Sequence, residues 1–258
     1  MRIARFVLDS DPIYGVVDEA AENVTPIKGD PFFSEIEAAG EPHRLEDVRL
    51  LAPIIPRSKI IGIGRNYADH VAEMGNQIPP APLMFLKPNT AVVGPGDPIM
   101  LPEFSEEVSY EAELCVVIGR ICKDVPEERV AEVVFGYTCG NDLTARDAQR
   151  TEGQWARAKG FDGSAPLGPW IETELDPDNL TIRGLLNGNV VQEGSTQQMI
   201  WGVSSLVSAV SQAFTLLPGD VIMTGTPTGV GRVSAGDRFE VEIEGLGTLA
   251  NTFRNPGL

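Results

Sequence analysis

The chain contains little of what histidine- or cysteine-based metal sites require. Its 258 residues include only two histidines, His43 and His70, and three cysteines, Cys115, Cys122 and Cys139. The cysteines show no Cys-x-x-Cys spacing, and two imidazoles are too few for a histidine-rich zinc site. Any bound metal ion would therefore have to be held by carboxylate oxygens. The cysteines are predicted to be reduced thiols, which places the protein in the cytoplasm.

Positive charge is also scarce, because 20 basic residues face 37 acidic ones and the formal net charge is −17. A field of this sign repels phosphate backbones, so no nucleic-acid partner is expected. An anionic substrate would need local basic side chains or a metal ion. No apolar run approaches the roughly 18–20 residues of a membrane span, and the N-terminus does not have a signal-peptide pattern. No membrane partner is expected.

Hydrophobic patterning divides the chain at about residue 55. Residues 1–55 contain short apolar runs interrupted by proline and glycine, and are predicted to form a small β-rich N-terminal segment. Residues 56–258 form the main domain, in which strands are separated by turns and helical patterns are fewer. Because strands do not alternate with helices, the predicted fold class is α+β and mainly β. Helices are predicted at 66–74, 144–150 and 204–214.

Three acidic residues form the candidate metal site. In a strand over 110–119, Glu111 and Glu113 would share one face. Like charges beside an apolar surface are costly unless a cation compensates them. On its own the pair is a weak signal, and an ordinary solvated strand face is the more common explanation for it. Asp142 follows a second predicted strand, at 133–140, and strand ends are common positions for ligand-binding residues. Spacing alone does not bring Asp142 to the two glutamates.

Five runs of sequence, in this order, resemble signatures of the fumarylacetoacetate hydrolase superfamily. They are GIGRNYADH at 62–70, YEAEL at 110–114, NDLTARDAQ at 141–149, KGFDGSAPLGPW at 159–170 and PGDVIMTGTP at 218–227. The resemblance covers roughly residues 58–255. It implies a mixed β-roll of the type found in the C-terminal domain of that superfamily, a homodimer, and Mg²⁺ or Mn²⁺ bound by Glu111, Glu113 and Asp142.

The resemblance is greatest to the short acylpyruvate hydrolase and oxaloacetate decarboxylase branch. It implies hydrolysis or decarboxylation of a small 2-oxo acid through a metal-stabilised enolate. An isomerase or decarboxylase of 2-hydroxyhepta-2,4-diene-1,7-dioate, acting in aromatic catabolism, is the alternative, since it would use the same metal and enolate. A more remote alternative is a non-catalytic β protein that binds Ca²⁺ in the acidic site.

The remaining candidate residues are assigned to catalysis or to substrate binding. His70 and Glu73 lie three residues apart on the predicted helix 66–74, so they share one face, and the carboxylate could orient the imidazole as a general base. Lys159 is the third catalytic candidate, because a buried lysine needs a charge partner such as a substrate oxyanion. The predicted substrate contacts are Arg65, Lys87, Arg146, Gln149 and Thr226.

Overall fold

A computed structural model of the chain describes residues 1–8, 11–73, 75 and 77–257. The strands in this part of the chain are β1 (Arg2–Val7), β2 (Pro12–Val17), β3 (Asn23–Pro26), β4 (His43–Arg44), β5 (Arg49–Leu51), β6 (Ile60–Gly64), β7 (Leu83–Lys87), β8 (Val92–Val93), β9 (Ile99–Met100), β10 (Val108–Tyr110), β11 (Ala112–Ile118), β12 (Val134–Asn141), β13 (Thr144–Ala145), β14 (Ala165–Glu172), β15 (Thr181–Leu186), β16 (Asn189–Ser195), β17 (Val221–Met223), β18 (Gly231–Arg232), β19 (Arg238–Ile243) and β20 (Gly247–Arg254). The α-helices are α1 (Ala68–Glu73), α2 (Arg146–Thr151), α3 (Ala156–Gly160) and α4 (Val203–Ala213). The predicted α+β, mainly β fold class is confirmed.

Three sheets organise these strands. The largest has 12 strands, in the order β4-β3-β2-β1-β14-β12-β11-β17-β6-β7, with β5 and β8 attached to β1 and β14. A 5-stranded sheet runs β16-β15-β19-β20-β9, and a 3-stranded sheet runs β13-β10-β18. Most pairs are antiparallel, whereas β6 with β17, β8 with β14, and β9 with β20 are parallel. The two larger sheets are therefore mixed, as expected, whereas the 3-stranded sheet is antiparallel.

Strand β11 lies between β12 and β17 in the large sheet and is buried on both faces. Leu114 and Val116 belong to the largest apolar cluster, which extends to the 5-stranded sheet, whereas Cys115 and Val117 belong to a second cluster on the opposite face. A strand covered on both sides needs apolar residues at nearly every position. The only interruption along its buried length is therefore the carboxylate of Glu113, which requires a specific compensating environment.

The predicted strand at 110–119 is broken into two at Glu111. Tyr110 pairs with Gly231 in the small sheet, whereas Ala112 pairs with Asn141 in the large sheet. Glu111 therefore stands at the point where the chain passes from one sheet to the other. The expected single strand was wrong, because alternation in the sequence continues through a change of pairing partner.

The predicted helices form with small shifts of their ends. Helix α1 spans Ala68–Glu73, and Met74, the predicted last residue, lies outside the described residues. Helix α2 begins at Arg146 instead of 144, because the two preceding residues form β13, which pairs with β10. No helix among the described residues is long and apolar enough to cross a membrane.

The N-terminal segment joins the large sheet through β1, which pairs with β14 at Ile3 and Ile171. Its own apolar cluster contains Ala4, Phe6 and Trp170, the last contributed by β14. The edge of the main domain therefore completes the core of the segment. The division at residue 55 remains a prediction.

Candidate active site

The ends of β11 and β12 bring the three predicted acidic ligands together. The two strands are antiparallel, so the beginning of β11 lies beside the end of β12, with Ala112 opposite Asn141. The backbone N–H of Asp142 donates to the carbonyl of Glu111 at 2.9 Å. One carboxylate oxygen from each of Glu111, Glu113 and Asp142 lies within 4.8 Å of the others. The convergence that spacing alone could not establish is present in the structure.

Basic side chains surround these carboxylates. Lys159 Nζ donates to Glu111 Oε2 at 2.8 Å and to Asp142 Oδ2 at 2.5 Å. The guanidinium of Arg146 forms an ion pair with Glu111, and Lys87 Nζ lies 2.8 Å from Asp142 Oδ1. Three buried acidic side chains thus face three buried basic ones. A divalent ion would leave the cluster with a net positive charge, which favours an anionic ligand.

The protonation behaviour of the acidic residues follows from this arrangement. Burial raises the pKa of Glu113 well above its usual value, and the neighbouring charges of Asp142 and Glu111 raise it further. Burial also opposes ionisation of Glu111, but Arg146 and Lys159 outweigh it and hold the pKa of Glu111 well below its ordinary range. Glu113 is the carboxylate whose charge the protein compensates least.

Two lysines in the cluster behave oppositely. Burial lowers the pKa of Lys87, and the charge of Asp142 offsets that effect only in part. Burial acts on Lys159 in the same sense, but two carboxylates, Asp142 and Glu111, together raise its pKa. Lys159 therefore stays protonated at neutral pH and contributes positive charge to the site.

The acidic site fits a hard divalent ion. Glu113 accepts a hydrogen bond from the Gly225 amide at 2.8 Å but has no ion-pair partner among the described residues. Asp142 Oδ1 is buried and makes no hydrogen bond of acceptable geometry in the described part of the chain, although Lys87 Nζ is close. The three candidate ligands would all bind through carboxylate oxygen, which suits Mg²⁺ or Mn²⁺. Glu111, Glu113 and Asp142 would hold such an ion.

A cavity of about 330 Å³ opens beside the carboxylates. Eight of the eleven predicted site residues line it, and these are Arg65, His70, Glu111, Glu113, Arg146, Gln149, Lys159 and Thr226. Arg150 adds a further positive charge to the lining, and Ile63, Gly64 and Trp155 form the uncharged part of the cavity wall. The volume suits a small molecule, and the basic side chains on the wall favour one that carries negative charge.

Lys87 does not reach the cavity. Its side chain is fully buried, and Nζ donates to the Ser164 carbonyl at 2.6 Å in addition to its contact with Asp142. The expectation that Lys87 contacts substrate is therefore corrected by this geometry. A fully buried ammonium needs a nearby anion, and Asp142 takes the place that had been assigned to a substrate oxygen.

His70 and Glu73 lie on α1 as predicted, but their contact is long. His70 Nδ1 is 3.4 Å from Glu73 Oε2. Glu73 also accepts the backbone N–H of Gly229 at 3.2 Å, which ties the helix to the loop after β17. His70 lines the cavity, whereas Glu73 does not. The arrangement allows the carboxylate to orient the imidazole from behind, while the imidazole faces the ligand space.

The backbone amides of the loop after β17 donate hydrogen bonds to protein carboxylates. The amides of Gly225 and Gly229 donate to Glu113 and Glu73, respectively. The Thr226 hydroxyl donates to the Ala112 carbonyl at 2.8 Å, so its proton is already engaged. Gly225 has φ of 101° and a Cβ there would lie 2.8 Å from Asn66 Cβ, so glycine is required.

Trp155 is the clearest cavity residue that the sequence interpretation missed. Its ring packs edge-on against Phe85, with ring centroids 5.7 Å apart, and Lys159 Nζ lies 4.8 Å from the centroid of the same Phe85 ring. Trp155 precedes Lys159 by four residues, and the Lys159 amide donates to the Trp155 carbonyl. This one-turn spacing was the available signal.

Comparison with known proteins agrees with the geometry. The family model described as fumarylacetoacetate (FAA) hydrolase C-terminal matches residues 59–254, and one described as Rv2993c-like, N-terminal matches residues 1–53. The chain belongs to the fumarylacetoacetate hydrolase family. Among curated relatives, the mitochondrial oxaloacetate tautomerase fahd2 of Xenopus laevis is 44% identical, and the match covers 80% of this chain and 68% of that protein.

Solved structures extend the comparison to the whole chain. The structure of 2-hydroxyhepta-2,4-diene-1,7-dioate isomerase from Mycobacterium marinum is 42% identical, with a TM-score of 0.91 and coverage of 100% of both chains. Fumarylpyruvate hydrolase from Pseudomonas aeruginosa, in complex with Mn²⁺ and pyruvate, is 38% identical with a TM-score of 0.74, covering 78% of this chain and 91% of that one. The family thus contains isomerases, hydrolases and tautomerases.

Proposed function

We propose that this protein is a divalent-metal-dependent enzyme that hydrolyses or decarboxylates a small 2-oxo acid of the acylpyruvate or oxaloacetate type. The observation that carries the proposal is the convergence of Glu111, Glu113 and Asp142 beside a small cavity with basic walls. The Mn²⁺ and pyruvate bound in the Pseudomonas hydrolase support both the metal and the class of ligand. Mg²⁺ and Mn²⁺ are the proposed ions.

The chain's own residues supply binding and proton transfer. A bound divalent ion would act as a Lewis acid that stabilises negative charge on substrate oxygens. Arg146 and Lys159 would neutralise the substrate's carboxylate and the charge that develops when a bond at C3 breaks. Arg65 and Gln149, which line the same cavity, would orient the part of the substrate beyond the oxo group. Trp155 would exclude water on one side.

His70 is proposed as the proton carrier, oriented by Glu73. In hydrolysis it would take a proton from the water that attacks the distal carbonyl carbon, the C–C bond to C3 would then break, and the protonated His70 would return the proton to C3 of the released enolate. In decarboxylation no water attacks, and His70 would deliver a proton to C3 of the enolate after carbon dioxide leaves. In both reactions the imidazole needs access to the cavity, which it has.

A second candidate function is tautomerisation or isomerisation, in which protons move and no C–C bond breaks. The 42% identity over the full length of the Mycobacterium marinum isomerase and the 44% identity to the Xenopus laevis tautomerase favour it. The same residues would serve. In tautomerisation His70 would take a proton from C3 of the 2-oxo acid to form the enolate, whereas in isomerisation of the dienol the 2-hydroxyl would lose its proton and C5 would gain one.

Product analysis separates these reactions. Purified protein with Mn²⁺ is incubated with acetylpyruvate, oxaloacetate and 2-hydroxyhepta-2,4-diene-1,7-dioate, and products are followed by NMR. Acetate plus pyruvate, or pyruvate plus carbon dioxide, is the expected result. Loss of the enol absorbance of oxaloacetate without pyruvate would support tautomerisation. Failure to convert any of the three, together with tighter binding of Ca²⁺ than of Mn²⁺, would contradict an enzymatic function.

A further inference from the structure

Gln192 is a buried glutamine that lies outside the cavity yet contacts both sides of the site. It belongs to β16 in the 5-stranded sheet, and 1% of its surface is exposed. Its Oε1 accepts the Ala112 amide at 2.9 Å. Its Nε2 donates to Thr226 Oγ1 at 2.8 Å and to the Pro227 carbonyl at 2.9 Å. The Gln192 side chain thus makes three hydrogen bonds, one to the start of β11 and two to the loop after β17.

The chemistry of its partners fixes the orientation of this amide. The Ala112 N–H can only donate, so it must face Oε1, and the Pro227 carbonyl can only accept, so it must face Nε2. Thr226 Oγ1 receives the second Nε2 hydrogen and directs its own proton to the Ala112 carbonyl. Flipping the amide would place like groups against each other at both ends.

These hydrogen bonds connect the segment that carries Glu111 and Glu113 with the Thr226 loop, which lines the cavity. Ala112 stands between Glu111 and Glu113, so a shift of its backbone moves both candidate ligands. Thr226 lines the cavity and follows Gly225, whose amide holds Glu113. The packing is close as well, because a Cβ on Gly229 would lie 2.0 Å from the carbonyl oxygen of Val191, the neighbour of Gln192 in β16.

We propose that Gln192 is a positioning residue that sets the distance between the Glu111–Glu113 pair and the Thr226 loop, and so controls metal and ligand affinity together. Outer partners of metal ligands commonly change metal affinity about 10–100-fold when removed. The claim about metal affinity depends only on the geometry of the carboxylates. The claim about ligand affinity rests on the proposed function, since it assumes that a small 2-oxo acid occupies the cavity.

The test replaces Gln192 by methionine, which keeps the length of the side chain and removes all three hydrogen bonds. Mn²⁺ binding is measured by titration calorimetry, and binding of oxalate to the Mn²⁺ form serves as a probe for a small dianion. For Gln192→Met we expect both dissociation constants to rise about 10-fold or more, with an increase in KM on the best substrate. Gln192→Asn keeps the amide but is one methylene too short to bond both Ala112 and the Thr226 loop, so it should give an intermediate loss of affinity.

Asn251 provides a matched control. It is also a buried amide on the 5-stranded sheet, and its Nδ2 donates to the carbonyls of Gly94 and Asp97 at 2.8 and 2.9 Å. Asn251→Leu should lower the melting temperature as Gln192→Met does, while both dissociation constants and the KM stay at their wild-type values. Stability loss and loss of positioning are thereby separated.

Two results would overturn the proposal. One is wild-type affinity of Gln192→Met for both Mn²⁺ and oxalate. The other is an equal loss of affinity in Asn251→Leu, which would make the effect one of general stability. Should Gln192→Met fail to fold, the same comparison with Gln192→Asn decides. Neither binding measurement needs turnover. If no substrate were converted, the proposed function would fail, but the Mn²⁺ titration would still test the claim about metal affinity.

Discussion

The charged cluster at the ends of β11 and β12 differs sharply from the His70–Glu73 pair on α1. In the cluster, Lys159 contacts Glu111 and Asp142 at 2.5–2.8 Å, and all three side chains are at most 6% exposed. In the pair, the contact is 3.4 Å and Glu73 is 39% exposed. The ends of two central strands of a 12-stranded sheet hold Glu111 and Asp142, and the short helix α3 holds Lys159, whereas the six-residue helix α1 holds the second set.

The difference fits the two tasks proposed for these regions. Holding a cation requires oxygens whose positions do not change, and buried strand ends provide such positions. Transferring a proton requires a group that can approach and leave a substrate atom, and such a group is better placed on a short helix at the surface of the site.

Loss of the metal should have the largest effect. Removal of divalent ions with EDTA is expected to reduce turnover to background, and added Mn²⁺ or Mg²⁺ should restore it, because the carboxylates alone cannot stabilise the charge formed on the substrate. The measurement is initial rate against added ion. Full activity in metal-free protein would contradict the assignment of the cluster.

Glu113→Gln is expected to abolish detectable Mn²⁺ binding and yet to raise the melting temperature of the metal-free protein. Burial and two neighbouring carboxylates raise the pKa of Glu113, so its charge opposes folding without a cation. Calorimetry and thermal unfolding in EDTA test both effects. Glu132→Gln, at an exposed carboxylate paired with Arg129, is the control and should leave Mn²⁺ binding unchanged.

His70→Ala should lower kcat by roughly 100- to 10,000-fold, the usual range for loss of a general acid or base, while Mn²⁺ affinity stays the same. The reason is that His70 faces the cavity but is not among the three clustered ligands. Unchanged turnover would remove His70 from the mechanism, and a parallel loss of Mn²⁺ binding would show that the two regions are not independent.

Lys87→Met should reduce the free energy of unfolding by roughly 3–5 kcal/mol, because it leaves Asp142 buried without one of its partners. Added Mn²⁺ should recover part of this loss, since the ion would take over the compensation of Asp142. Chemical denaturation with and without Mn²⁺ provides the measurement. Lys28→Met, which breaks an exposed pair with Glu37, should cost no more than about 1 kcal/mol.

Glu73→Gln is expected to have the smallest effect, a decrease in kcat of about 10-fold, because it weakens orientation of His70 without removing the imidazole. The long His70–Glu73 contact limits how much the pair can contribute. A loss as large as that of His70→Ala would mean that the Glu73 carboxylate takes part directly in the reaction and does more than orient His70.

Much of the site was predictable, because its residues occur in short runs whose order and spacing are characteristic. Lys87 was not placed correctly, since nothing in the run Phe85-Leu86-Lys87-Pro88 tells whether the ammonium faces a ligand or a protein carboxylate. Gln192 carries no motif in this interpretation. Its importance follows from three hydrogen bonds to residues about 35 and 80 positions away, and such contacts leave no local pattern.

The broken strand at Glu111 shows the same limit in the backbone. Alternation from Tyr110 onward predicts one strand, because the sequence reports which residues are buried and not which strand each one pairs with. The switch from β18 to β12 as the partner depends on segments at 231–232 and 134–141, which are distant in sequence.

Three properties were predictable from the amino-acid sequence: that strands dominate, that carboxylates and not imidazoles would form any metal site, and that five sequence runs resemble one known superfamily. These properties depend on residue type and on local periodicity, both of which can be read directly. Only the folded structure shows which basic side chain pairs with which carboxylate, because this pairing depends on angstrom-scale distances between strand ends. It also shows that the Gly225 amide donates to Glu113, since pairing across the sheet brings the two residues together.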